Sequence, residues 1–80
     1  MALTPTLNRP MPRPISQREM IRRLRALGWE GPFPGKRHPV MRRGARKLPI
    51  PNPHGSDIDW SLVKRLLDQF GIDPDEWGKL

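Results

Sequence analysis

Between residues 28 and 55 proline and glycine recur so closely that only short strands and turns can be built there, and this limits the fold more than any other feature. Pro34-Gly35 reads as a turn. Three strands fit the remaining space, over residues 29–33, 39–42 and 47–50, the last two joined by Arg43-Gly44-Ala45-Arg46, whose glycine can take a positive φ. Gly31 and Pro32 weaken the first strand and suggest an edge. Pro49 and Pro51 cannot donate to a ladder, so the third strand must be an edge or end early.

On either side the pattern turns helical. Ser16-Gln17-Arg18-Glu19 matches a capping box, with Ile15 and Met20 at the two positions of a hydrophobic staple. Met20, Ile21, Leu24 and Leu27 then recur at helical spacing up to Gly28, which predicts a helix over residues 17–27. Asp59 can cap a second helix whose apolar face is Trp60, Val63, Leu66, Leu67 and Phe70, ended by Gly71. Asp73-Pro74-Asp75-Glu76 starts one further turn, in which Trp77 covers the core. The expectation is an α+β fold of two layers, helix-strand-strand-strand-helix with a short C-terminal helical turn. Both helices then lie on one face of an antiparallel sheet and the other face stays free. Residues 1–14, with four of the eleven prolines, read as a flexible arm, and residues 15–80 as the domain.

A single domain of this size buries only about 60% of its unfolded surface, so a site should lie on a face or in a shallow cleft. Without cysteine there is no disulfide framework and no thiolate metal site. The longest apolar runs are too short to cross a bilayer, and the amino terminus lacks the pattern of a secretory signal, which makes the cytoplasm the expected location. Charge is placed unevenly: residues 1–50 hold twelve Lys or Arg against two acids, and residues 51–80 hold three against six. That asymmetry marks the first part as a candidate for contact with polyphosphate.

The chemistry concentrates at His38, which stands among Lys36, Arg37, Arg42, Arg43, Arg46 and Lys47 with no acid between Lys36 and Lys47. An imidazole can take the proton of a ribose 2′-hydroxyl while neighbouring cations hold the phosphate and offset charge building on its oxygens. Simple phosphate binding or a structural hydrogen bond would explain the same residue types. Arg22, with Arg18 and Arg25, can present further charge from the first helix. His54, sixteen positions after His38, is a possible second group. A metal site from His38, His54, Asp57 and Asp59 has no recognised ligand spacing behind it, so neither metal nor other cofactor is expected. No glycine-rich nucleotide loop is present. Trp60 and Phe70 have core periodicity, whereas Trp29 and Phe33, at the sheet edge, are candidates for touching nucleic acid.

Taken in order, these segments resemble the HicA toxin family, also called YcfA-like. A capped helix ends at Leu27-Gly28-Trp29, and Gly35-Lys36-Arg37-His38-Pro39-Val40-Met41 stands where the family has its Gly-x-His segment. Leu48-Pro49-Ile50-Pro51-Asn52-Pro53-His54 resembles the strand and loop that follow. Leu66-Leu67-Asp68-Gln69-Phe70-Gly71-Ile72-Asp73-Pro74-Asp75-Glu76-Trp77 resembles the closing helix with its short last turn. The resemblance covers roughly residues 15–80. It implies a double-stranded-RNA-binding-like fold and a messenger-RNA endonuclease held inactive by a HicB-like antitoxin. It also makes His38 the essential residue. The family commonly has serine just before that histidine, where this chain has Arg37.

The mechanism expected from these readings is metal-independent attack of a 2′-hydroxyl on its adjacent phosphate, with His38 moving the proton and Lys36, Arg37 or Arg42 supporting the phosphate. The competing expectations are a non-catalytic RNA-binding domain, which needs only a basic face on a two-layer scaffold, and a protein-interaction module receiving an acidic partner.

Overall fold

The computed structural model describes residues 14–51 and 57–80. In chain order it consists of α1 (Gln17–Ala26), β1 (Glu30–Phe33), β2 (Val40–Arg43), β3 (Arg46–Pro49), α2 (Trp60–Gln69) and α3 (Pro74–Gly78). The three strands form one antiparallel sheet in the order β1-β2-β3, so β3 is an edge, as its prolines require. The α+β class and the element order agree with the sequence.

Each long helix starts and stops by the same means. The Ser16 hydroxyl accepts from the Glu19 N–H at 3.0 Å, and the Asp59 carboxylate accepts from the Ser61 N–H at 3.2 Å. At the far ends, Gly28 and Gly71 take φ values of 94° and 70°. The N–H groups of Gly28 and Trp29 then donate to the carbonyls of Arg25 and Leu24, and those of Gly71 and Ile72 to the carbonyls of Asp68 and Leu67. These are paired Schellman closures, which satisfy carbonyls that a helix end otherwise leaves open. They also shorten the expected first strand: the Trp29 N–H is committed to the helix, so β1 begins at Glu30.

Two other local expectations change. Glu19 does not reach back to complete the capping box; its carboxylate is held by Arg22 and Arg23, whose charge-assisted bonds outcompete a neutral amide. The β2–β3 turn is tighter than a four-residue connection, because Arg43 and Arg46 pair directly and only Gly44 and Ala45 lie between them. Gly44, at φ 62°, occupies the first turn position, where two-residue hairpins favour glycine.

Met41 and Leu48 face each other across β2 and β3 and are fully buried with Ile50, Met20, Leu24, Val63 and Leu67. The core therefore lies between one sheet face and the helices. Trp77, at 2% exposure, closes it from α3 under the Arg23 guanidinium. Trp29 is 3% exposed and meets Phe70 edge to face at 5.6 Å. Burial thus removes Trp29 from the candidates for touching nucleic acid. Outside the sheet, Ile15 and Ile58 exchange two backbone hydrogen bonds, of 3.0 and 2.7 Å, which tie the entry of α1 to the entry of α2.

Candidate nucleic-acid interface

His38 sits in the connection between β1 and β2, and its backbone is fixed from both sides. A β-carbon on Gly35 would collide with the His38 carbonyl oxygen, so the turn closes only because residue 35 has none. On the other side, the Pro39 carbonyl accepts from the Ile50 N–H at 2.8 Å, which pins the chain to the end of β3. The His38 side chain is exposed on this braced segment. It borders two clefts. One is a shallow hollow formed by residues 32–39 themselves. The other, of about 530 Å³, is largely apolar and runs between the end of the sheet and α2, lined by Pro49, Pro51, Ile58, Leu62 and Leu66 with the carboxylates of Asp57 and Asp59 at its side. No recognised spacing linked Asp57 and Asp59 to His38 in the sequence, yet all three border this cleft. Asp59 is occupied there in capping α2. Among the described residues no group of three or more His, Cys, Asp or Glu could hold a metal ion. His54 lies outside the described residues.

The cations named from sequence fall into distinct groups. Lys36 and Arg37 directly precede His38 and are exposed with no ion pair among the described residues. Arg42 and Lys47 pair across β2 and β3 on the sheet face opposite the core, and both are exposed. Arg42 has its guanidinium 4.9 Å above the centroid of Phe33. Arg43 and Arg46 belong to the other face, where alternation places them with Met41 and Leu48. Arg43 comes over Gly28, such that a β-carbon there would lie 3.6 Å from its Nε. Arg46 stacks on Phe70 at 5.2 Å and donates to the Phe70 carbonyl at 3.3 Å, so it caps the negative end of α2. Arg22 is bonded to Glu19 and to the Leu80 carbonyl, and Arg25 donates twice to the Gly31 carbonyl. The structure thus brings Lys36, Arg37 and His38 together, sets Arg42 and Lys47 on the adjoining open face, and gives Arg22 and Arg46 internal partners.

One titration is strongly displaced. The Arg22 guanidinium, with that of Arg23, holds the Glu19 carboxyl down at about 2 from an ordinary 4.5. This carboxylate belongs to the scaffold on α1.

No protein-family model matches the chain, and no solved structure matches it. Over 50 residues, 61% of the chain, it is 38% identical to part of the light-independent protochlorophyllide reductase subunit N of Roseobacter denitrificans. The chain spans only 12% of that relative's length, so this likeness assigns neither a family nor an activity. No helix among the described residues is long and apolar enough to cross a membrane.

Proposed function

We propose that the chain is a metal-independent endoribonuclease of the HicA toxin type, with a double-stranded-RNA-binding-like fold, acting on messenger RNA in the cytoplasm and silenced by a HicB-like antitoxin. The observation that carries this reading is the placement of His38: exposed at a cleft, packed closely against Gly35, held next door by the Pro39–Ile50 hydrogen bond, and directly preceded by Lys36 and Arg37. The α-β-β-β-α order supports the fold assignment, and the segments quoted above supply the resemblance.

In the proposed reaction the 2′-oxygen forms a bond to the adjacent phosphorus and the bond from phosphorus to the 5′-oxygen breaks. The 2′-proton passes to a His38 ring nitrogen, and the departing 5′-oxygen takes a proton from water. The products are a 2′,3′-cyclic phosphate and a free 5′-hydroxyl. Lys36 and Arg37 offset charge on the phosphate oxygens, and Arg42 and Lys47 hold the strand alongside. General acid–base catalysis of this kind contributes about 10²–10⁴-fold.

The test is cleavage of a defined single-stranded RNA in EDTA by the unmodified protein and by His38→Ala, with the product ends identified. Cleavage confined to the unmodified protein, leaving cyclic phosphate ends, is the expected outcome. Undiminished cleavage by His38→Ala would remove His38 from the mechanism. A second reading, RNA binding without cleavage, draws on the exposed Arg42 and Lys47 beside Phe33. Tight RNA binding by a folded protein that cleaves nothing would select it.

A further inference from the structure

The five aromatic side chains are not used alike. Trp29 and Trp77 are in the core, and Trp60 and Phe70 pack against it, but Phe33 does neither. It lies half-buried on the sheet face away from the helices, paired with Val40. Arg42 extends its guanidinium over the ring. A stacked ring and guanidinium on an exposed sheet face contribute only about 0.5–1 kcal/mol to a fold. As a surface for a nucleobase the same pair is well suited, since bases stack on aromatic rings and on guanidinium planes alike.

We propose that Phe33 and Arg42 form a base-stacking platform for single-stranded RNA, which orders a nucleotide beside the phosphate held at His38. The proposal rests on the nuclease reading and names the form of substrate that this site takes. Three observations carry it. Arg42 and the neighbouring Lys47 are exposed and form no ion pair among the described residues, which leaves them available to an anionic strand. Glu30 stands opposite Arg42 in the strand register but forms no ion pair with it, and the guanidinium lies over the Phe33 ring instead. Phe33 is in register with Val40, two residues after His38, so a base on the platform belongs to a close neighbour of the scissile phosphate. A duplex keeps its bases stacked inside and cannot use such a surface, so the platform selects single strands over double.

The test uses the full chain carrying His38→Ala, so that RNA survives, and measures binding of a fluorescein-labelled decamer by anisotropy. Its arms are the single strand, the same sequence as a duplex, and a set of single strands each lacking one base. Phe33→Leu is expected to weaken single-strand binding roughly ten- to a hundredfold, as loss of one stacked base does, and to leave the slope against salt unchanged. Phe33→Trp should restore binding. In the set of abasic strands, one position should account for most of the loss, and Phe33→Leu should add little to it. The proposal is overturned if the duplex binds more tightly than the single strand, or if no single base matters. It is also overturned if Phe33→Leu, shown to be folded, binds as well as its parent. The abasic set requires no change at Phe33, so it decides the matter even if that variant fails to fold. Should the protein bind no RNA, the nuclease reading falls with the platform; should it cleave RNA with no single base mattering, only the platform falls.

Discussion

Four cations on the helix side differ from four on the His38 loop and the open sheet face in what holds them. Arg22, Arg23, Arg25 and Arg46 each donate to an acceptor within the domain, whether the Glu19 carboxylate or a backbone carbonyl at Leu80, Trp77, Gly31 or Phe70. Lys36, Arg37, Arg42 and Lys47 have no such acceptor among the described residues, although all eight come from one basic part of the chain. The first set welds helices to sheet and to the C-terminal turn. The second set, under the proposed function, is what meets the RNA strand. Net charge alone could not make this division, and it predicts that stability and RNA chemistry respond to different residues.

The comparison can be strained first on the scaffold side. Leu67 is fully buried, and Leu67→Ala should destabilise by about 2–5 kcal/mol through lost burial and an incompletely healed cavity. A urea midpoint measures this, and the fraction that stays folded should still cleave at the parent's rate. On the other side, Gly35→Ala drives a methyl group into the His38 carbonyl, so the loop must shift. Displacement of a reacting group by about 1 Å can cost on the order of a hundredfold, and kcat should fall accordingly while RNA affinity changes far less. Equal activity in this variant would show that the bracing of His38 does not matter.

A sharper contrast sets single arginines against each other. Arg42→Ala should weaken RNA binding across sequences and reduce the slope of log affinity against log salt by about one, at a stability cost of no more than about 0.5–1 kcal/mol from the lost Phe33 contact. Arg46→Ala should cost more stability, about 1–2 kcal/mol through its lost cap and ring contact together, and leave the salt slope in place. Matching salt slopes for the two variants would erase the division. The smallest effect concerns acid. Because the folded carboxyl of Glu19 titrates near 2 rather than 4.5, its contribution to stability is complete above the unfolded value and is lost as pH falls between the two. Glu19→Gln should therefore flatten the urea midpoint between pH 5 and pH 2, weakly because the pair is exposed, and more weakly still in high salt.

Much of the scaffold could be read from the chain because its determinants are local. Ser16, Asp59 and Asp73 cap the helices they precede, and Gly28 and Gly71 end theirs through bonds that span only a few residues. Edge placement of β3 followed from Pro49 in the same way. Partner choice was less accessible, because an arginine side chain is long enough to reach several acceptors and tertiary approach decides among them. Arg22 and Arg46 look like Arg42 in sequence, yet Leu80 and the end of α2 arrive to occupy them. Trp29 was misplaced at an exposed edge for a related reason: the helix closure takes its N–H and turns its ring toward Phe70. The pairing of Phe33 with Arg42 depends on the irregular register between β1 and β2, where Glu30 and Phe33 oppose Arg42 and Val40 across one extra residue.

The bridge between Ile15 and Ile58 has a practical bearing on handling the protein. Ile58 forms part of the wall of the cleft that His38 borders, and its backbone is tied to Ile15 by hydrogen bonds in both directions. A load applied just ahead of α1 is therefore transmitted to that wall without passing through the sheet. A bulky affinity tag fused close to Ile15 sits beside a backbone tie to the cleft wall, whereas the same tag behind Leu80 sits beside the Arg22 contact.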